Sequence, residues 1–293
     1  MTLGLPPLRF IASDLARGDL KSARLATEEL GLIRIDSAKH PLFEEAYARL
    51  SDEFGSRNEL EPKEVLTARL EWDPARPVNG CALLYQLVAV RHKGRIVALR
   101  DHSAIVPLDD PDAEAVVHLS HVLVEPEWRR TGLSGWLRAL PIQGARECLR
   151  GAGLARIFPI TLVAEMEHPR DGALETLIRL RAYEKGGFRK IDPAHVPYFQ
   201  PDFRPPAVID ATGGPRPLPF LLVVRRIGRE DVTHVSGAEV RRLAAALYRM
   251  FGVTSRAKDM APLLKNLEAF PADDELIRLC PPTEPIPSDT SFA

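Results

Sequence analysis

The stretch VLVEPEWRRTGLSGWL, Val122 to Leu137, constrains this chain more than any other. Alternating apolar residues, which read as a strand, stop at Glu125-Pro126. Two arginines, a threonine, a glycine and a serine follow, and apolar residues then return at helical spacing. A strand, a tight loop and a helix start are therefore expected within sixteen residues. The first turn of a helix carries amides without internal partners, and its dipole favours negative charge. Gly132 clears space for close approach, Ser134 adds a small hydroxyl, and Arg129 and Arg130 supply forked donors suited to phosphate oxygens. Such a corner is either a cradle for a pyrophosphate or a solvated basic turn before an amphipathic helix.

Any anion site has to be local, because the 293-residue chain carries a formal net charge of only −1. That balance gives no global electrostatic reason to bind nucleic acid or an anionic membrane. Hydrophobic residues make up 45% and charged residues 27%, enough apolar material for a sizeable core. Cys81, Cys148 and Cys280 are too widely spaced for a Cys-x-x-Cys zinc or redox motif and fit reduced thiols. The N-terminus has no apolar run of signal-peptide type and no segment is long enough to span a bilayer, so a cytoplasmic protein is expected.

The rest of the pattern is mixed. Residues 1–30 read as a polar helical arm. A short strand at LGLIRID, helices at HPLFEEAYARLSDEF and PKEVLTARLEW, and a hairpin turning at HKG follow. VVHLSHVLVEP reads as one strand and SGWLRALPIQGARECLR as a helix kinked by Pro141. ARIFPITLVAEME is a strand, and GALETLIRLRAYEKGGF a helix stopped by Gly186-Gly187. A proline-rich connection from Pro193 to Pro219 leads to a last strand, FLLVVRRI. Helical segments and a disordered tail, CPPTEPIPSDTSFA, complete the chain. This order implies an α/β fold with a partly antiparallel sheet flanked by helices.

At the corner the residues carry a resemblance. VLVEPEWRRTGLS resembles the acetyl-CoA-binding signature of the GNAT N-acetyltransferase superfamily, with Pro126, Arg129 and Gly132 in place and Ser134 where Gly or Ala is usual. RAYEKGGF resembles that superfamily's second motif, through Tyr183, Gly187 and Phe188. The resemblance covers residues 31–228, between the arm (1–30) and a helical C-terminal extension (229–293).

The resemblance implies acetyl-CoA as co-substrate, no metal, and direct transfer to a primary amine. It assigns the backbone of Val122, Leu123 and Val124 to the pantetheine arm and carbonyl. The amides of Arg129, Arg130, Thr131, Gly132, Leu133 and Ser134 would take the pyrophosphate, and Tyr183 would protonate the leaving thiolate. For the base, Glu165 and Glu167 share a strand face. Glu165 is the first choice, Glu167 a substrate-binding candidate, and His121 the alternative base. His118 has the opposite strand parity to His121, so only one of them faces the cleft in a regular strand. Tyr198, Phe199 and Gln200 lie on the connection that the fold places near the acceptor. The acceptor is a small-molecule or peptide amine, and a homodimer is left open. The competing reading is a non-catalytic acyl-CoA sensor or interaction module on the same fold.

Overall fold

The computed structural model describes residues 5–57, 59–154, 158–169 and 173–286. Its spine is one long hairpin. β2 (Cys81–His92) and β3 (Arg95–Pro107) pair antiparallel from Cys81↔Pro107 to His92↔Arg95. Lys93 and Gly94 turn it, both with positive φ (47° and 84°), as a two-residue turn matched to strand twist requires.

β1 (Leu30–Ile35) pairs with β2 on its outer edge. The expected strand at VVHLSHVLV is broken in two: β4 (Ala115–His118) and β5 (Val122–Val124) both pair with β3. β6 (Ile160–Glu167) then pairs parallel with β4, from Ala115↔Ile160 to His118↔Val163. β9 (Leu218–Arg226) lies antiparallel to β6, and short strands complete the other side. These are β7 (Arg189–Ile191), β8 (Phe199–Gln200), β10 (His234–Ser236) and β11 (Leu276–Cys280). The path runs β1-β2-β3-β4-β6-β9-β7-β11-β10, with β5 on β3 and β8 on β9. FLLVVRRI is therefore an interior strand, and Cys280, expected at the start of a disordered tail, ends a strand of the sheet. The mixed, largely antiparallel sheet is the expected fold class.

Helices cover both faces. On one lie α1 (Phe43–Phe54), α2 (Lys63–Leu70), α7 (Gly237–Phe251) and α8 (Ala257–Asn266), burying Phe43, Leu50, Leu66, Leu247 and Met260 against the sheet. On the other lie α3 (Leu133–Ala139), α4 (Pro141–Gly151) and α5 (Leu174–Lys185). α6 (Pro206–Ala211) sits in the proline-rich connection. α3 and α4 meet at Leu140, whose φ and ψ stay helical, because Pro141 has no amide to offer Leu137. α7 starts on a capping box in which Ser236 and Glu239 satisfy each other's amides. The helical stretches of the arm, Ala12–Asp14 and Arg17–Arg24, are of the tighter 3-10 type.

Candidate active site

The corner forms as a strand, one 3-10 turn and a helix start. Arg130 and Gly132 both adopt positive φ, 65° and 104°. For arginine this is an uncommon conformation, costing about 1–2 kcal/mol relative to the right-handed region. Among the described residues, the amides of Arg129, Leu133 and Gly135 bond locally, to Pro126 O, Thr131 Oγ1 and Gly132 O. Those of Arg130, Thr131, Gly132 and Ser134 find no acceptor among the described residues. Arg129, Arg130 and Thr131 are exposed, and Arg129 Nε donates to Val124 O at 3.2 Å. Four open amides and two exposed guanidinium groups fit a diphosphate.

The flank of this corner is not bare. The arm packs on it, so that a Cβ on Gly132 would lie 2.9 Å from Ser22 Cα, and one on Gly135 would collide with Ser22 Oγ. Both glycines admit the arm. Ser22 O accepts from Trp136 Nε1 at 2.9 Å, and the buried Asp19 and Asp14 pair with Arg138 (2.7 Å) and Arg146 (2.8 Å).

Next to the corner the sheet opens. The β4–β6 ladder stops at His118↔Val163, with one more bond from Leu119 N to Val163 O at 2.7 Å. Residues 119–121 then bulge, and β5 continues along β3 alone. The other edge of Val122–Val124 has no ladder partner among the described residues, and neither has the facing edge of β6 beyond Val163. A wedge with unpaired backbone thus separates β5 from β6. A long hairpin, a strand β5 parted from β6, a helix after the first motif and a short strand after the second make up this part of the chain. This mixed, mostly antiparallel α/β architecture is consistent with the fold that the resemblance implies.

Solved structures similar to it include a GNAT family acetyltransferase from Elizabethkingia anophelis with acetyl-CoA bound. That one is 14% identical, with a TM-score of 0.37, over 68% of this chain and 99% of the other. An aminoglycoside acetyltransferase from an uncultured soil metagenomic sample, in complex with sisomicin, is 16% identical (TM-score 0.35; 52% of this chain, 87% of that one). The GCN5-related glucosamine N-acetyltransferase region of a fungal multi-domain GH3 beta-N-acetylglucosaminidase is 17% identical (TM-score 0.35). It covers 56% of this chain, which spans only 17% of that longer one. No family model and no curated protein matches the sequence.

The expected site residues divide between the two faces of the sheet. Glu165 faces α7. Its carboxylate, on a side chain only 3% exposed, meets His118 Nε2 at 2.8 Å, the Tyr198 hydroxyl at 2.8 Å and Gln200 Nε2 at 3.5 Å. Ser120 Oγ lies 3.1 Å from His118 Nδ1. Burial, then the Glu165 charge, pushes the Tyr198 phenol well above its ordinary pKa, so it stays protonated and donates. Tyr198 stacks on Tyr248 at 5.4 Å, the Phe251 edge packs on His118 at 5.3 Å, and Phe203 packs on Phe251. Phe199 lies half-buried on β8, its carbonyl accepting from the Tyr248 hydroxyl at 3.0 Å.

A cavity of about 580 Å³, counting its open mouth, lies beyond that aromatic layer, lined by Glu61, Arg69, Phe203, Arg204 and Asp259. A larger one, about 720 Å³, sits under α7 at the opposite end of β4 and β6, lined by Val116, Val224 and Val240, and reaches none of these residues.

Tyr183 packs on the α5 face. Phe188 N bonds Tyr183 O and Gly187 N bonds Glu184 O, with Gly187 at φ 79°, which is a Schellman stop. The Tyr-x-x-x-Gly-Phe spacing thereby brings the Tyr183 and Phe188 rings into an edge contact at 4.9 Å. Among the described residues the Tyr183 hydroxyl has no protein partner. Glu167 is tied to Arg179 and Thr176 of α5.

His121, in the bulge, is held by Asp101 (3.1 Å to each oxygen) and Glu59 O (2.8 Å). Burial favours its neutral form, but the Asp101 charge and hydrogen bonds outweigh that and raise its pKa to about 9. The same pairing, with Arg100, holds Asp101 below the usual carboxylate range against its own burial. Strand parity alone does not choose between His118 and His121; the nearness of His118 to Glu165 follows from the β4–β6 register. A signal for the neighbouring polar cluster was present: RDHS interrupts an otherwise apolar strand at Arg100–Ser103.

Proposed function

We propose that this chain is a CoA-dependent N-acyltransferase that moves an acetyl group to a primary amine within a ternary complex. The observation that carries this reading is the wedge. It offers unpaired backbone beside the open amides of Arg130–Ser134, with a carboxylate–imidazole pair on one face and a phenol on the other. Bound acetyl-CoA supplies the activated thioester. Its pyrophosphate would rest on the Arg129–Ser134 amides and its pantetheine arm along Val122, Leu123 and Val124.

The chain's own groups then handle protons. Glu165, with His118 as its partner, takes the ammonium proton, directly or through water. The free amine attacks the thioester carbon, so a C–N bond forms as the C–S bond breaks. Tyr183 returns a proton to the departing thiolate. His121 is a poorer base, since a group already protonated at neutral pH has no capacity to take another proton. Tyr198, Gln200 and the 580 Å³ cavity would form the acceptor approach, which opens when the Phe203–Phe251 layer shifts.

That closed layer, together with the arm on Gly132, is also what favours the second reading, a CoA-binding module without turnover. Two measurements separate them. Thermal shift with CoA and acetyl-CoA tests binding, because a ligand held only by the native state raises its melting temperature. Thiol release with a panel of amines tests turnover. Glu165→Gln and Tyr183→Phe should each lower turnover by about 100-fold or more, with CoA affinity nearly unchanged. No shift at saturating CoA would end both readings.

A further inference from the structure

Arg100 lies in the middle of β3, opposite Val122, the first residue of β5. It is 1% exposed. Its Nη1 donates to His121 O at 3.4 Å, which brings the guanidinium to the bulge where β4 gives way to β5. Nε and Nη2 are buried and without any hydrogen-bond partner among the described residues. These two nitrogens share one edge of the guanidinium, the edge that presents two parallel N–H groups to a carboxylate.

Among the described residues no carboxylate forms an ion pair with it, and the Asp101 charge that it feels is shared with His121. Arg69 is paired with Glu61, and Arg34 with Glu147. Asp101 is engaged by the His121 imidazole and the Tyr85 hydroxyl. Among the described residues, Asp101 and Glu61 are thus engaged by other cations, and the Nε/Nη2 edge of Arg100 meets no carboxylate. An arginine cannot shed its proton to relieve this, and burying an unpaired charge is strongly unfavourable. The neighbouring His102 does not help, since both its ring nitrogens are also buried and unpartnered. A cationic, two-pronged donor therefore lies buried on β3, opposite the first residue of β5, at the bulge from which the wedge opens.

The geometry points to a carboxylate-terminated acyl group, carried as a dicarboxylic acyl-CoA thioester, as the donor this site selects over acetyl-CoA. This inference rests on the CoA-dependent reading above. The terminal carboxylate takes the Nε/Nη2 edge of Arg100 and is a spectator in the transfer, which still makes one C–N bond and breaks one C–S bond. Val122, Ala98 and Leu140 form the apolar surroundings of the intervening methylenes.

Calorimetric titration of the full chain with CoA, acetyl-CoA, malonyl-CoA, succinyl-CoA and glutaryl-CoA tests it. At least one carboxylated thioester is expected to bind about ten-fold or more tighter than acetyl-CoA, as a buried bidentate charged pair warrants. Arg100→Met should abolish that preference while leaving CoA itself nearly unchanged, and should melt no lower than the parent protein, because it removes an unpaired buried charge. If CoA and acetyl-CoA bind but no carboxylated thioester binds tighter, this inference is overturned and the CoA reading stands. If no CoA species binds, the CoA reading falls and takes this inference with it. The comparison among ligands uses the unaltered protein, so it holds even if the variant does not fold.

Discussion

His102 and His121 are both buried, yet their environments drive their protons in opposite directions. Burial, then the charge of Arg100, lowers the His102 pKa to about 3, whereas Asp101 overcomes burial and raises that of His121 to about 9. An unfolded histidine titrates near 6.5. His121 therefore stabilises the fold fully below pH 6.5, and that contribution fades as pH rises through 9. His102 acts in reverse: its neutral form is required, so stability falls as pH drops below 6.5. Asp101, depressed in the fold, adds a further loss as acid protonates it. Urea unfolding should thus give a stability maximum near pH 6.5, with an alkaline limb of roughly 3 kcal/mol from the His121 shift. His121→Gln should flatten that limb and His102→Leu the acid one. An unchanged alkaline limb in His121→Gln would mean that the imidazolium is not held as described. None of these roles follows from residue type, because a histidine's pKa is set by what the fold places around it.

At the scale of elements, the arm is the piece whose packing the sequence leaves open. RGDLKSAR has helical composition, but it is stapled by contacts distant in sequence: Asp19 to Arg138, Asp14 to Arg146, and Phe10 against Trp136 at 5.2 Å. Gly135→Val would push directly into Ser22 and Asp19. Overpacking of this kind costs about 1–3 kcal/mol, enough to detach a short segment without unfolding the sheet. Trypsin should then cut faster at Arg17, Lys21 and Arg24, and Trp136 fluorescence should shift red. Undiminished protease protection would show that the arm is held elsewhere. The longer elements were legible, since α1, α2, α5 and the β2–β3 hairpin carry clear periodicity and their own stop signals. β7, β8 and β10 were not, because strands of two or three residues have no period to read.

For the molecule as a whole, the C-terminal segment closes the sheet. β11 pairs with β7 at Leu279↔Ile191 and buries Ile277, Leu279 and Cys280. Each buried aliphatic side chain contributes about 1.5–3 kcal/mol, so losing the strand removes a large share of a typical 5–15 kcal/mol stability. It also bares the edge of β7, a template for association. Truncation after Asp274 should therefore give a protein that unfolds at much lower urea and sediments as aggregate. A monomeric truncation with parental stability would show that β11 is dispensable.

Local chemistry is written in the sequence. The Pro126–Ser134 corner, the Gly186-Gly187 helix stop and the Lys93-Gly94 turn each arise from residues within one turn of one another, where backbone sterics and hydrogen bonding decide the outcome. The juxtaposition of His118 with Glu165 needed the tertiary structure. It depends on a parallel register between strands joined by a long crossover through α3 and α4, which no local rule fixes. The open edge of Arg100 is likewise a tertiary fact, since it depends on which side chains the fold brings beside β3 and on how the nearby acids are already paired.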